Sequence, residues 1–320
     1  MKAYLKAAAL GLITSVSMAP MLAQAADKPV VASIVFQGDQ FMKSLQAGMR
    51  SAAEKAGAEI LEINIDGDQA KETQAIDTYI ARKVNAIVIA PVSAKNSAAA
   101  LKRARDAGIV VVAVNGGLTD AGIAQATFST SNKDLGISTG KAAGKFITET
   151  LGGKAKVAIL GFKSLLPEQS GERTGGFKEA AAEGNTVDVV TEQDAWLPEK
   201  AVSVATDILT ANPDVNVVYA ANEGGTIGAM QAVRNAGKAG SVYVFGIDGS
   251  EQLAKGLMAN DNVLQAVTAQ SPFDMGAQGV DAALSILKGD KVAEQTTVPA
   301  LLLSRADPDG VKAFAESLKK

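Results

Sequence analysis

The 320-residue chain contains no cysteine and no histidine. The first absence rules out disulfides and thiol nucleophiles, so stability must come from core burial. The second removes the commonest general base and the commonest metal ligand. Together they exclude most hydrolase constellations and leave acid–base chemistry to Asp, Glu, Lys or Tyr. Aromatic residues are only 4% of the chain, with a single Trp, so an aromatic ring in a loop stands out. There is no basic excess either. The formal net charge is −3, which argues against a nucleic-acid partner, since that would select a basic face. After the first segment no apolar run approaches the roughly 18 residues of a membrane-spanning helix.

That first segment has a distinct pattern. Met1-Lys2 and Lys6 are basic, Ala7 to Val16 is apolar, and Ala23-Gln24-Ala25 is a small-x-small site. The order predicts a secretory signal peptide over residues 1–25 and a mature protein in the periplasm. No Cys sits at the cleavage site to carry a lipid. Roughly 295 residues then remain, enough for two cores.

Short β-branched runs at Val30–Phe36, Glu59–Ile65, Ala86–Ala90 and Ile109–Val114 alternate with helical stretches at Lys43–Ala56, Ala70–Ala81 and Lys95–Ala107. Runs without polar alternation suit strands buried on both faces, as in a parallel sheet. The alternation restarts after residue 150. Its strands are Lys156–Leu160, Thr186–Val190, Asn216–Ala220 and Ser241–Ile247, and its helices are near Glu172–Ala182, Pro198–Thr210, Thr226–Ala236 and Gln252–Ala259. The two stretches also resemble each other. Gly48–Glu54 matches Gly176–Ala182, and Arg105–Gly108 with the following strand, Asn115 and Gly116 matches Arg234–Gly237 with its strand, Asp248 and Gly249. One supersecondary unit used twice predicts an α/β fold of two similar, doubly wound parallel-sheet lobes. A strand at Val263–Ala269, a helix at Pro272–Leu287 and a last strand near Val298–Leu303 are surplus to equal halves. They read as the chain crossing back between lobes.

Open parallel sheets bind ligands at the carboxyl ends of their strands. Asn115 and Asp248 hold that place in their halves, so facing lobes would point both into one cleft. Trp196, in the loop before Pro198, reads as a cleft wall or as a loop anchor. Phe41 reads as a cleft aromatic or as helix-start packing. Asp39 can be a helix N-cap, a ligand contact, or both. Arg173, read as lying just inside a helix start, is a cation where the dipole disfavours one. Asn222 and Glu223 follow a strand and precede Gly224-Gly225, as cleft residues or as a capping turn. Neither Gly116-Gly117 nor Gly224-Gly225 has the spacing of a nucleotide cradle. Asp66 and Asp68 are too few for a calcium loop. No cofactor and no metal are expected.

Phe41, Ala90-Pro91, Ser131-Asn132, Glu172-Arg173, Phe177, Pro213-Asp214, Asn222, Gly246–Gly249 and Gln270 occur in the order and spacing of the periplasmic ribose-binding protein family of ABC sugar transporters, which the chain resembles over almost its whole mature length. The resemblance implies a type I two-lobed fold with a three-segment hinge near Asn132, Gln270 and Leu302. The N-terminal lobe is then 26–132 plus 271–301 and the C-terminal lobe 133–270 plus 302–320. It implies a non-catalytic, monomeric receptor that closes on its ligand and docks on an ABC permease and ATPase complex. The expected ligand-binding residues are Asp39, Phe41, Met42, Asn115, Gly116, Glu172, Arg173, Trp196, Asn222, Asp248 and Gln270, of which the resemblance matches Phe41, Arg173, Asn222, Asp248 and Gln270 with like side chains and Trp196 with an aromatic ring. Three departures fall in the site. Ribose binders have an Asp-Arg pair where this chain has Asn115-Gly116, an Asn at Asp39, and a second Phe at Met42. A monosaccharide other than ribose, or a polyol, is therefore expected. A sensor presenting a small signal molecule to a chemoreceptor or histidine kinase shares the same fold. The rival from another class is an enzyme using Asp39, Glu172 and Asp248 as acid–base groups.

Overall fold

The computed structural model describes Met1 and residues 28–318. Beyond Met1, the expected signal peptide lies outside the described residues. Two six-stranded sheets carry the described chain. The first contains β1 (Val30–Val35), β2 (Glu59–Asn64), β3 (Ala86–Ile89), β4 (Val110–Val114), β5 (Ala126–Ser129) and β11 (Gln295–Thr297), in the order β11-β5-β4-β3-β1-β2. The second contains β6 (Lys154–Gly161), β7 (Thr186–Asp194), β8 (Val217–Ala220), β9 (Tyr243–Ile247), β10 (Leu264–Ala269) and β12 (Leu301–Ser304), in the order β12-β10-β9-β8-β6-β7. The two orders superpose strand for strand. Every pairing is parallel except β10 with β12. β3, β4, β8 and β9 are buried along their whole length, as strands covered by helices on both faces must be.

The helices are α1 (Gln40–Ala56), α2 (Gln69–Ala81), α3 (Ala98–Asp106), α4 (Asn132–Leu151), α5 (Pro167–Ala181), α6 (Pro198–Ala211), α7 (Glu223–Asn235), α8 (Glu251–Met258), α9 (Pro272–Leu287) and α10 (Pro308–Ser317). The internal repeat maps onto α1 and α5. Each packs a glycine on a helix that follows a lobe crossing: a Cβ on Gly48 would strike the Phe273 carbonyl of α9, and one on Gly176 the Lys133 carbonyl of α4.

Three differences from the sequence reading have physical reasons. α4 and β5 went unseen. α4 presents Gly136, Gly140 and Gly144 to α5, where each sits against the backbone around Arg173, Phe177 and Ala180–Ala181. A helix that packs through glycine has neither high helix propensity nor a strong apolar stripe. Its legible mark is the cap, since Ser131 Oγ accepts the Asp134 N–H at 3.2 Å. α5 starts at Pro167 rather than Glu172, so Arg173 lies in its second turn and the dipole argument for it falls away. The single strand expected near Val298–Leu303 is two strands in different sheets: the Val298 N–H donates to the Ser129 carbonyl, while Leu301 pairs with Ala269.

The chain therefore crosses between sheets at residues 130–131, 270–271 and 298–300. The last crossing precedes Leu301, which belongs with the second sheet rather than the first. Among the described residues no helix is long and apolar enough to cross a membrane.

Candidate functional site

A cleft of about 960 Å³ separates the strand carboxyl ends of the two lobes. Each side chain that lines it is positioned by a local device. Asp39 follows β1 and caps α1, its Oδ1 accepting the Met42 N–H at 2.8 Å. This one geometry turns Phe41 and the buried Met42 toward the cleft. Asp39 is thus both cap and cleft residue. Asn115 follows β4 with φ 63°, in the left-handed region that Asn tolerates better than most residues.

From the second lobe, Arg173 on α5 is 4% exposed. Its Nε donates to Asn132 Oδ1 at 2.8 Å, its Nη1 to the Ala221 carbonyl at 2.9 Å, and its guanidinium lies 5.3 Å from the Phe162 ring centroid. Asn222 caps α7 by accepting the Gly225 N–H, and its amide donates to the Trp196 carbonyl at 3.0 Å. Asn222 is thus a helix cap that also lines the cleft. Trp196 lines the cleft, and its buried indole N–H has no partner within the described protein. Asp248 follows β9 with φ 75°. Its Oδ2 accepts the Glu223 N–H at 3.0 Å, and its Oδ1 accepts Gln270 Nε2 at 2.7 Å.

Two expected site residues are not on the cleft wall. Glu172 is exposed and turned away. Successive helical residues diverge by about 100°, so the turn that buries Arg173 carries its neighbour outward. Gly116 is half-buried and does not line the cavity, but it faces the other lobe: a Cβ there would lie 3.0 Å from Gln169 Nε2. Gln169, Phe162, Leu165 and Ser250 line the cleft without having been read from the sequence. The first three follow β6, at a strand carboxyl end, and the late helix start concealed them.

The profile of the periplasmic binding protein domain matches residues 30–291. The ribose import binding protein RbsB of Escherichia coli is 31% identical over 91% of this chain and 96% of its own. The chain belongs to the periplasmic binding protein family. A second Escherichia coli relative, the ABC transporter periplasmic-binding protein YphF, is 28% identical over 92% of this chain and 91% of its own. Among solved structures, the Actinobacillus succinogenes solute binding protein with bound D-allose superposes at a TM-score of 0.79 with 26% identity, covering 88% of this chain and all of that one. The Agrobacterium vitis protein with bound D-fucose superposes at 0.80 with 27% identity, covering 89% and 99%.

This member of the periplasmic binding protein family has an electrostatically loaded cleft. Burial pushes the Glu223 carboxyl up to about 7, and the charges of Asp248 and Asp39 add to that rise against a hydrogen bond from Ser250. Burial also raises Asp39, with Asp248 adding to it and the Met42 N–H opposing. Charges that repel one another from opposite lobes favour whatever compound or proton brings them into register.

Proposed function

We propose that the chain is a periplasmic receptor that captures one monosaccharide or polyol between its lobes and delivers it to an ABC permease driven by an ATPase. The observation that carries this reading is the distribution of planar hydrogen-bonding groups. Asp39 and Asn115 come from one lobe, and Arg173, Asn222, Asp248 and Gln270 from the other, around one cavity. Such groups read hydroxyls as donors and acceptors together, and the faces of Phe41 and Trp196 suit the C–H side of a ring. A ligand bonded to both lobes stabilises only the closed arrangement, so it shifts the population toward the form a permease recognises. The relatives named for ribose import, and the solved structures with D-allose and D-fucose, support a sugar as the cargo. The altered positions Asp39, Met42, Asn115 and Gly116 favour one other than ribose. In this reading the protein is monomeric, exported by residues 1–25 as signal peptide, turns over nothing and binds no nucleic acid.

The test is thermal unfolding of the mature protein against pentoses, hexoses, deoxysugars, polyols and amino acids, followed by calorimetry on the hits. A ligand that binds only the native state raises the melting temperature by linkage. Stabilisation by a sugar or polyol is expected. Stabilisation by an amino acid alone, or chemical conversion of the bound sugar, would overturn the proposal.

A further inference from the structure

Three carboxylates line the inner cleft: Asp39 on one lobe, Glu223 and Asp248 on the other, the last two 8% and 4% exposed. Their hydrogen-bond partners are neutral, and the nearest opposing charge is that of Lys43, which acts on Asp39. Asp39 accepts a backbone N–H, and Asp248 accepts a backbone N–H and an amide. None of the three appears in an ion pair among the described residues. The one buried cation of the wall, Arg173, is bound to an amide, a carbonyl and a ring face rather than to a carboxylate. At the mouth Asp66 is paired with Lys71 and Glu251 with Lys255, so the surplus belongs to the inner cleft. A cleft lined by one sign of charge concentrates the opposite sign.

Negative charge held in a cleft by neutral hydrogen-bond partners alone is costly, and a cation relieves that cost. Among the described residues no group of three or more His, Cys, Asp or Glu side chains is placed to hold a metal ion. Hydroxyls of a neutral sugar donate to carboxylates but leave the charge in place. A primary ammonium supplies three donors and the missing positive charge together. Phe36, Phe41 and Trp196 line the same cavity, offering faces that favour both a sugar ring and a cation beside it. Resting on the sugar-receptor reading above, we infer that this cleft is built for a polyhydroxylated ligand bearing one protonated amine, an amino sugar or amino-polyol.

Binding such a ligand has a second signature. Glu223 is raised to about 7 chiefly by burial and then by its neighbouring carboxylates. An ammonium placed among them lowers it, so near pH 6.5 the complex releases protons.

The experiment is calorimetry of the mature protein with matched pairs at pH 6.5, in two buffers of different ionisation enthalpy. The pairs are D-glucosamine and D-glucose, D-galactosamine and D-galactose, and 1-amino-1-deoxysorbitol and sorbitol, with the N-acetylated sugars as neutral controls. In the best-bound pair the amine is expected to bind about ten-fold tighter or more, with proton release, as befits charge-assisted hydrogen bonds. Asp39→Asn, which still caps α1, is expected to erase most of that preference. Neutral sugars binding as tightly as their amines, or proton uptake with the amines, would overturn the inference and leave the sugar receptor standing. Binding by no member of the panel would overturn both.

Discussion

Asn115 and Asp248 occupy one and the same position in two lobes. Each is the first residue past the equivalent strand, β4 or β9, and each is left-handed, with φ 63° and 75°. The Asn115 N–H donates to the Phe128 carbonyl at 2.9 Å, and the Asp248 N–H to the Thr268 carbonyl at 2.8 Å, so each is tied to the next strand of its sheet. The turn that ends a fully buried strand therefore presents a short polar side chain to the cleft from both sides. Asn and Asp tolerate that backbone better than most residues, so the turn and the ligand site draw on the same residue types.

Substitutions at Asp248 separate these two roles. Asp248→Asn keeps the left-handed backbone and an acceptor for the Glu223 N–H, so folding stability should change by under about 1 kcal/mol while ligand affinity falls. Asp248→Ala adds left-handed strain and leaves the Gln270 amide and the Glu223 N–H without their acceptor. It should cost about 2–4 kcal/mol of stability and a comparable share of affinity. Urea unfolding without ligand, set beside calorimetry with it, checks both. Equal stability of the two variants would remove Asp248 from its structural role.

The raised Glu223 carboxyl makes unliganded stability depend on pH. Its folded value is near 7 against an ordinary 4.5. Between these values the native state holds the proton more tightly than the unfolded chain, so stability falls as pH rises from about 4.5 to about 7. Glu223→Gln should flatten that fall by roughly 1–3 kcal/mol. Denaturation midpoints at pH 5, 6 and 7.5 for both proteins provide the measurement. A wild-type curve parallel to that of the variant would refute it.

Much of this fold was legible because parallel strands buried on both faces must be apolar throughout. Ala86–Ile89 and Val110–Val114 admit no other reading between their flanking helices. α9 was read to its termini, since Pro272 marks its start and its apolar face is continuous. α4 was not legible, because its contact with α5 is made by glycines, whose fit depends on a partner backbone far along the chain. In the site, Asn115 and Asp248 followed from topology alone. The exposure of Glu172 did not, because it depends on a helix beginning at Pro167, five residues before the apolar spacing becomes clear. The raised Glu223 comes chiefly from burial, with the charges of Asp248 and Asp39 from distant segments adding to it, and no local pattern encodes either cause.

Trp196 is the sole Trp of the chain and lines the cleft, with an indole N–H that has no hydrogen-bond partner among the described residues. Intrinsic fluorescence should therefore report ligand binding directly, through a shift in emission maximum or intensity that saturates with the calorimetric Kd. Trp196→Phe should abolish the signal and leave stability within about 1 kcal/mol, since no protein hydrogen bond is lost. An unchanged emission spectrum at saturating ligand would place the ring outside the site.

Two glycines distinguish folding from closure. Gly136 lies inside the α4–α5 contact, where a Cβ would run into the Arg173 carbonyl and within 2.9 Å of the Phe177 nitrogen. Backbone cannot step aside cheaply, so Gly136→Ala should destabilise the second lobe by about 1–3 kcal/mol or more, measured by urea unfolding. Gly116 meets only the far end of a flexible side chain, Gln169 Nε2, and that side chain belongs to the opposite lobe. Gly116→Ala should therefore be tolerated. Gly116→Phe would leave both cores intact yet fill the space the lobes share on closing. It should unfold within about 1 kcal/mol of wild type while losing ligand affinity and the ligand-induced drop in radius of gyration seen by small-angle scattering. If Gly116→Phe still contracts on binding, the approach of Gly116 to Gln169 plays no part in closure, and the space beside Asn115 is room for a larger ligand instead.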